Sequence, residues 1–327
     1  AGATFRPSGH VFDQPLTQER TMSSTQLSRR GFTAGLCGTG LISSAGFAAD
    51  RADAQTGSIR ITALSDGHFD LTPTAFSGQV TGSPAALRAL SALGASVLIG
   101  ANVWLVQTPT RRILVDTGSG ATLQAKYPHT GRLPEALVAT GTDPGSITDI
   151  VITHMHADHI GGLMRDGRRA FPSARLHIAE GEWAYWTAPD RPSQVPARLR
   201  PLAQLIQGIA GTLTYETTLH AGKVDLGEGV WLAPAPGHTP GHIAVRIETG
   251  GQQVLLLGDA LISDAIQFAH PEVTYGLDSD PEGAAVTRRR LFDMVTADGI
   301  ALAATHLNTQ ALIGLTRRGS GFRPHLV

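Results

Sequence analysis

Cysteine is nearly absent from this 327-residue chain, whose one thiol is Cys37. A single cysteine excludes an intrachain disulfide and a cysteine-rich metal cluster. Aromatic residues are also sparse, at 6%, which makes the cluster Trp183, Tyr185 and Trp186 stand out. Neither sign of charge dominates, since the formal net charge is −1, and no basic run occurs. A nucleic-acid partner is therefore not expected, because holding a polyanionic backbone needs concentrated positive charge. No apolar run reaches the ~20 residues that cross a bilayer. What remains reads as a globular chain, 42% hydrophobic, with ample material for a core.

The first fifty or so residues read as targeting sequence. Ser28-Arg29-Arg30-Gly31-Phe32 carries a twin-arginine pattern, and Thr33–Ala49 is a mildly apolar, glycine-rich run. Ala52-Asp53-Ala54 offers a cleavage site of the small-x-small type. Residues 1–21 precede a plausible start at Met22 and read as an over-extended or non-native segment. The expected organisation is thus a leader over 22–54 and a folded domain over 55–327, with an exported or periplasmic protein as the product. Cys37 lies inside the leader, so the mature domain would carry no thiol nucleophile.

Downstream, short apolar runs alternate with helical spacing. Ile59–Leu64, Val97–Gln107, Arg112–Val115, Ile150–Thr153 and Arg175–Ala179 read as strands. Val230–Ala233, Ile243–Glu248, Val254–Leu257 and Ala301–Thr305 read as strands of a second half. Runs of this length bounded by turn residues suit buried strands. Helices are expected over Ser83–Leu93, which opens on Ser-Pro, from His159, over Glu180–Trp186 and Pro196–Ala210, and near Glu282–Val295. Pro189 to Pro201 holds four prolines in thirteen residues and reads as a loop or lid.

The chemistry concentrates at His154-Met-His156-Ala-Asp158-His159. His154 and His156 are one residue apart at a strand end, so both side chains point to the same face. Asp158 and His159 fall in the following turn and face a second point, so one loop can serve two adjacent metals. Three more candidates each follow an apolar strand: His238, Asp259 and His306. Imidazole and carboxylate ligands suit zinc, with cobalt, manganese and iron also accepted. His242 reads as a supporting residue.

This pattern resembles the metallo-β-lactamase superfamily, and the likeness runs from about Ile59 onward. It implies an α/β fold, a four-layer αββα sandwich in one domain, with two divalent metal ions between its sheets. By that resemblance His154, His156 and His238 would hold one ion, Asp158, His159 and His306 the other, and Asp259 would bridge them. Asp116, in Leu114-Val115-Asp116-Thr117-Gly118, would support the ligands from behind.

The chemistry implied is hydrolysis by a hydroxide bridging two metals, with Asp259 and Asp158 nearest the reaction. Acyl-homoserine lactonases of the superfamily place a tyrosine three residues after the bridging aspartate, and here that residue is Ile262. An aliphatic residue there is similar to the methyl parathion hydrolase branch. So are Ile61-Thr-Ala-Leu-Ser-Asp66-Gly67, Gln267-Phe268 and Leu277-Asp278-Ser279-Asp280. The expected substrates are aryl esters, lactones and organophosphate triesters, with Trp186, Tyr185 and Ile262 lining the pocket and a homodimer as the assembly. A quorum-quenching lactonase is the alternative. A mononuclear iron oxidoreductase resembling persulfide dioxygenases fits less well, because the full seven-ligand set is present.

Overall fold

The computed structural model describes residues 53–76 and 83–327. The expected segment 1–21, nearly all of the expected leader and Cys37 lie outside the described residues. The expected cleavage point after Ala54 falls inside the first strand, β1 (Asp53–Thr56).

Two seven-stranded sheets form the frame. The first runs in the order β1, β2 (Ile59–Leu71), β3 (Val97–Gln107), β4 (Arg112–Val115), β5 (Asp149–Val151), β8 (Arg175–Ala179), β9 (Thr217–His220). A small hairpin, β6 (Met164–Arg165) and β7 (Arg168–Arg169), stands apart from it. The second sheet runs in sequence order through β10 (Val224–Gly227), β11 (Val230–Pro234), β12 (Ile243–Thr249), β13 (Gln252–Leu256), β14 (Ala301–Ala303), β15 (Ile313–Arg318) and β16 (Gly321–Leu326).

Alternation along each strand sorts the apolar side chains into layers. Ile113 and Val115 of β4 face inward, joining Val245, Val254 and Leu256 of the second sheet in a core between the sheets. Leu114 faces the other way, into a core shared with Trp186, Ala203 and Ile206 of the outer helices. On the far side, Leu255 and Leu302 pack against Leu291, Phe292 and Val295. Because strands β4, β5, β13 and β14 are covered on both faces, they read in sequence as continuous apolar runs. The helices are α1 (Pro84–Ser91), α2 (Leu133–Ala139), α3 (Ala157–Ile160), α4 (Glu180–Thr187), α5 (Arg191–Gln194), α6 (Arg200–Ala210) and α7 (Pro281–Asp298). The result is the expected αββα sandwich, and the described residues belong to one compact unit.

Two expectations fail locally. The helix expected from His159 is one turn, α3, which begins before it at Ala157 and ends at Ile160. Pro189–Pro201 is not an open loop: it contains α5, a 3₁₀ turn over Ala197–Leu199 and the start of α6. Proline lacks only a backbone donor that the first helical turn leaves unpaired anyway, so Pro192 and Pro201 begin helices without cost. Among the described residues, no helix is long and apolar enough to cross a membrane.

Strand direction places the site. β4 and β5 are parallel, β13 and β14 are parallel, and β11 runs with β13 because each is antiparallel to β12. Asp116, His154, His238, Asp259 and His306 all lie just beyond the C-terminal ends of these five strands. Sheets of this kind gather ligands at that edge.

Candidate metal centre

Seven side chains converge in two groups that share one carboxylate. His154, His156, His238 and Asp259 form the first, and Asp158, His159, His306 and Asp259 the second. Within each group the ligand atoms lie within 4.8 Å of one another. His238 Nε2 is 3.0 Å from His156 Nδ1 and 3.3 Å from Asp259 Oδ2. His306 Nε2 lies 3.1 Å from Asp259 Oδ2 and 3.4 Å from Asp158 Oδ2. His159 Nε2 approaches the other Asp259 oxygen at 3.3 Å. All seven residues are buried except Asp158, which is partly open.

These donors fit metal ions, and the fit can be tested on their unsatisfied atoms. His154 Nε2, His159 Nε2 and Asp259 Oδ1 are buried and make no hydrogen bond. An unsatisfied buried polar group costs ~1–3 kcal/mol, and three at one point are hard to tolerate without a cation. The charge balance agrees. Burial disfavours a charged imidazole at His238, yet Asp259 and Asp278 outweigh it and push its pKa up to about 9. At His306 burial again opposes, and Asp259 and Asp158 push it up to about 10. Burial and neighbouring imidazoles hold His154 and His156 well below their usual value. The carboxylates call for positive charge at a place where His154 and His156 must stay neutral. Two divalent ions meet both demands, and nitrogen and oxygen donors suit zinc.

His159, His238, His306 and Asp259 are each held by a partner behind them, as metal ligands commonly are. Asp116 accepts three bonds. Its Oδ2 accepts from His159 Nδ1 and Thr153 Oγ1, and its Oδ1 from the Thr153 backbone N–H, all at 2.8 Å. Its φ of 65° is left-handed, a strained conformation for a non-glycine residue. His306 Nδ1 donates to the Gly100 carbonyl at 2.8 Å. His242 supports the bridge: its Nδ1 meets the Ala235 carbonyl, and its Nε2 accepts the Asp259 backbone N–H at 3.0 Å. Burial and His238 push the His242 pKa down to about 3, so the ring stays neutral and keeps that acceptor.

Several supporting residues carried no role in the sequence. Glu182 is fully buried, and its carboxylate accepts four bonds. They come from Met155 N (2.8 Å), Trp186 Nε1 (2.7 Å), Thr239 Oγ1 (2.7 Å) and Gly241 N (3.0 Å). It thereby ties the loop of His154 and His156 to the loop of His238. Asp278 Oδ1 holds His238 Nδ1 at 2.8 Å while its Oδ2 accepts the Tyr275 backbone N–H at 2.7 Å. Gln267 bonds the backbone of Ile262, Ser263 and Val273. Arg288, buried in α7, donates to the carbonyls of Ala260, Pro271 and Val273 and fixes the chain after Asp259. Asp66 accepts from Ser119, Gly131 and Leu133. A side chain at Gly118 would lie 2.4 Å from the Asp66 carboxylate carbon, and its φ is +68°, so glycine is needed there.

The expected pocket residues sit differently from their expected places. Trp186 is 2% exposed. Its ring lies 5.5 Å from that of His156 and its N–H is on Glu182, so it braces a ligand and offers no surface to a substrate. Tyr185 is half-buried with the Arg191 guanidinium 3.8 Å above its ring. Ile262 is fully buried, in the apolar cluster of Phe69, Phe76 and Ile99. The aromatics near the ligands are others. The Tyr275 ring stacks on His238 at 6.2 Å, and Phe69 meets His306 edge-on at 5.8 Å and Tyr127 at 5.0 Å. Burial, followed by the Asp158 and Asp259 charges, holds the Tyr275 phenol well above its usual pKa. A phenol in that field remains a hydrogen-bond donor.

Comparison with known proteins agrees with this geometry. The profile of the metallo-beta-lactamase superfamily matches residues 96–306. A probable metallo-hydrolase of Mycobacterium tuberculosis is 30% identical over 224 residues, 62% of this chain and 70% of that protein. An N-acyl homoserine lactonase of Bacillus thuringiensis is 26% identical over 225 residues, covering 63% and 81%. Among solved structures, AidC, a dizinc quorum-quenching lactonase, superposes with a TM-score of 0.75 at 24% identity, covering 85% of this chain and 97% of AidC. The profile spans both ligand loops and every seat of the two groups is filled, so this chain belongs to the metallo-beta-lactamase superfamily and is a metal-dependent hydrolase.

Proposed function

We propose that this enzyme hydrolyses small apolar esters and lactones, with aryl esters and organophosphate triesters within its range. The observation that carries the reading is Asp259, one buried carboxylate belonging to two complete four-ligand groups. Two divalent ions, which these seven residues would hold, would supply a hydroxide nucleophile near neutral pH. The chain's own residues do the rest. Asp158, the one partly open ligand, stands where substrate meets the centre. Tyr127, partly open and packed on Phe69, whose ring meets His306, offers an apolar wall near the ligands. Tyr275 offers the phenol that Ile262 does not, and its donor suits a carbonyl or a departing alkoxide.

That phenol, together with the likeness to the B. thuringiensis protein named as an N-acyl homoserine lactonase, favours a quorum-quenching lactonase as the second reading. Export by the twin-arginine pattern and assembly as a homodimer belong to the same proposal. The test is a panel of p-nitrophenyl esters, acyl-homoserine lactones of several chain lengths and paraoxon-type triesters, run with metal content measured. Turnover of esters and lactones at about two ions per chain is the expected result. One iron per chain with oxygen uptake and no hydrolysis would overturn the reading.

A further inference from the structure

A second place in the fold gathers metal-binding side chains. His68 and Asp70 lie on β2, two residues apart, so both point to the face opposite Phe69. His129 approaches from the loop after β4, and the ligand atoms of the three side chains lie within 4.8 Å of one another. We propose that His68, Asp70 and His129 form a third divalent-cation site, of lower affinity than the buried centre, for a borderline ion such as zinc.

The backbone builds this juxtaposition. The His68 N–H donates to the His129 carbonyl at 3.2 Å. β2 carries a bulge between Ser65 and Gly67, and a side chain at Gly67 would fall 1.7 Å from the His129 oxygen. Only glycine lets the two segments meet. The imidazoles of His68 and His129 stack at 4.7 Å with planes 14° apart, so the exposed His129 ring must turn out of the stack for both lone pairs to meet one ion. His68 Nε2 is 3.9 Å from Asp70 Oδ2. A tetrahedral zinc with bonds of ~2.0–2.1 Å separates its ligands by roughly 3.4 Å. Rotation of the exposed Asp70 and His129 side chains closes that gap. Burial and His129 lower the His68 pKa, which leaves a neutral imidazole with a lone pair to donate. Asp70 is the one carboxylate, and Arg132 also acts on His68, so binding is weaker than at the buried centre, where the Asp158 and Asp259 carboxylates converge.

The position gives the ion an effect. Phe69 lies between the two β2 ligands in sequence and touches His306, and it packs against Tyr127, two residues before His129. An ion at His68, Asp70 and His129 clamps the segments that present this apolar wall.

The test is equilibrium dialysis of the metal-loaded enzyme against buffered zinc, comparing wild type with His129→Ala and Asp70→Asn. The quantity read is the difference between them, so it does not depend on how many ions the buried centre holds. Wild type should bind one more zinc per chain in the micromolar range, and each variant should need at least tenfold more zinc for it. Hydrolysis at low zinc should be unchanged in both variants. Wild type that takes up no further ion, or a further ion retained at full affinity in either variant, would overturn the proposal.

Discussion

Replacing Glu182 by glutamine changes one atom yet should loosen both ligand loops. The carboxylate uses all its acceptor capacity on four donors: Met155 N and Trp186 Nε1 on one oxygen, Thr239 Oγ1 and Gly241 N on the other. A glutamine must turn its NH₂ toward one of these pairs. The less costly orientation faces Thr239 and Gly241, because a hydroxyl can rotate to accept while a backbone N–H cannot. Two bonds to a charged acceptor are lost, each worth ~1.5–3 kcal/mol, and the Gly241 N–H is left buried and unpaired. The expected loss is about 3–6 kcal/mol, a large share of the ~5–15 kcal/mol that holds a domain together. Alanine would orphan all four donors and fail to fold, so glutamine is the informative change. Urea unfolding should be followed at fixed free zinc, since bound metal adds stability by mass action. Zinc release to a chelator should be timed alongside. A shift under ~1 kcal/mol with unchanged release would refute the claim that this carboxylate ties the loops together.

Three further outcomes are expected. Asp259→Ala should lower metal content at both positions and cut activity more than His306→Ala does; comparable activity with both ions retained would contradict its shared role. Tyr275→Phe removes one hydroxyl and keeps the ring on His238, so kcat for lactones should fall by roughly 100–1000-fold, the cost of a lost transition-state donor, while p-nitrophenyl esters with their good leaving group change little. Equal loss on both substrates would point to packing instead. Burial works against the Asp149 carboxylate, but bonds from His177 and Arg111 hold it below the usual range. Its contribution to stability is therefore present above pH ~4 and lost as pH falls below that value, so Tm curves of Asp149→Asn and wild type should converge in acid.

The ligands were legible because each kind of evidence pointed the same way. A dense His-Asp cluster follows one apolar run, and three isolated residues each follow another, so strand ends and metal donors coincide. The two sheets could be read for the same reason, since strands covered on both faces stay apolar throughout. Glu182 was harder, as a glutamate in a short helix normally faces water. Its one signal was Trp186, four residues on and on the same helical face. Trp186 itself was misplaced: the family resemblance put it in the pocket, and only the packing shows the ring enclosed. The C-terminal hairpin β15–β16 escaped notice because Arg317, Arg318 and Pro324 mask its alternation. Asp278 and Gln267 were visible as familiar stretches, but their work on His238 and on the Ile262 backbone depends on contacts between distant segments.

The centre draws its donors from both sheets: four come from the loop after β5, and His238, Asp259 and His306 come from the second half of the chain. The second group cannot be completed until β14 has been laid beside β13, because His306 arrives last. Filling that seat is thus a late event in the life of the polypeptide, taken from whatever ions surround it when its final strands dock. The ligand set accepts several metals, so the ions present where the chain folds should decide which one it carries, and the same gene expressed in two compartments should yield two differently metallated catalysts.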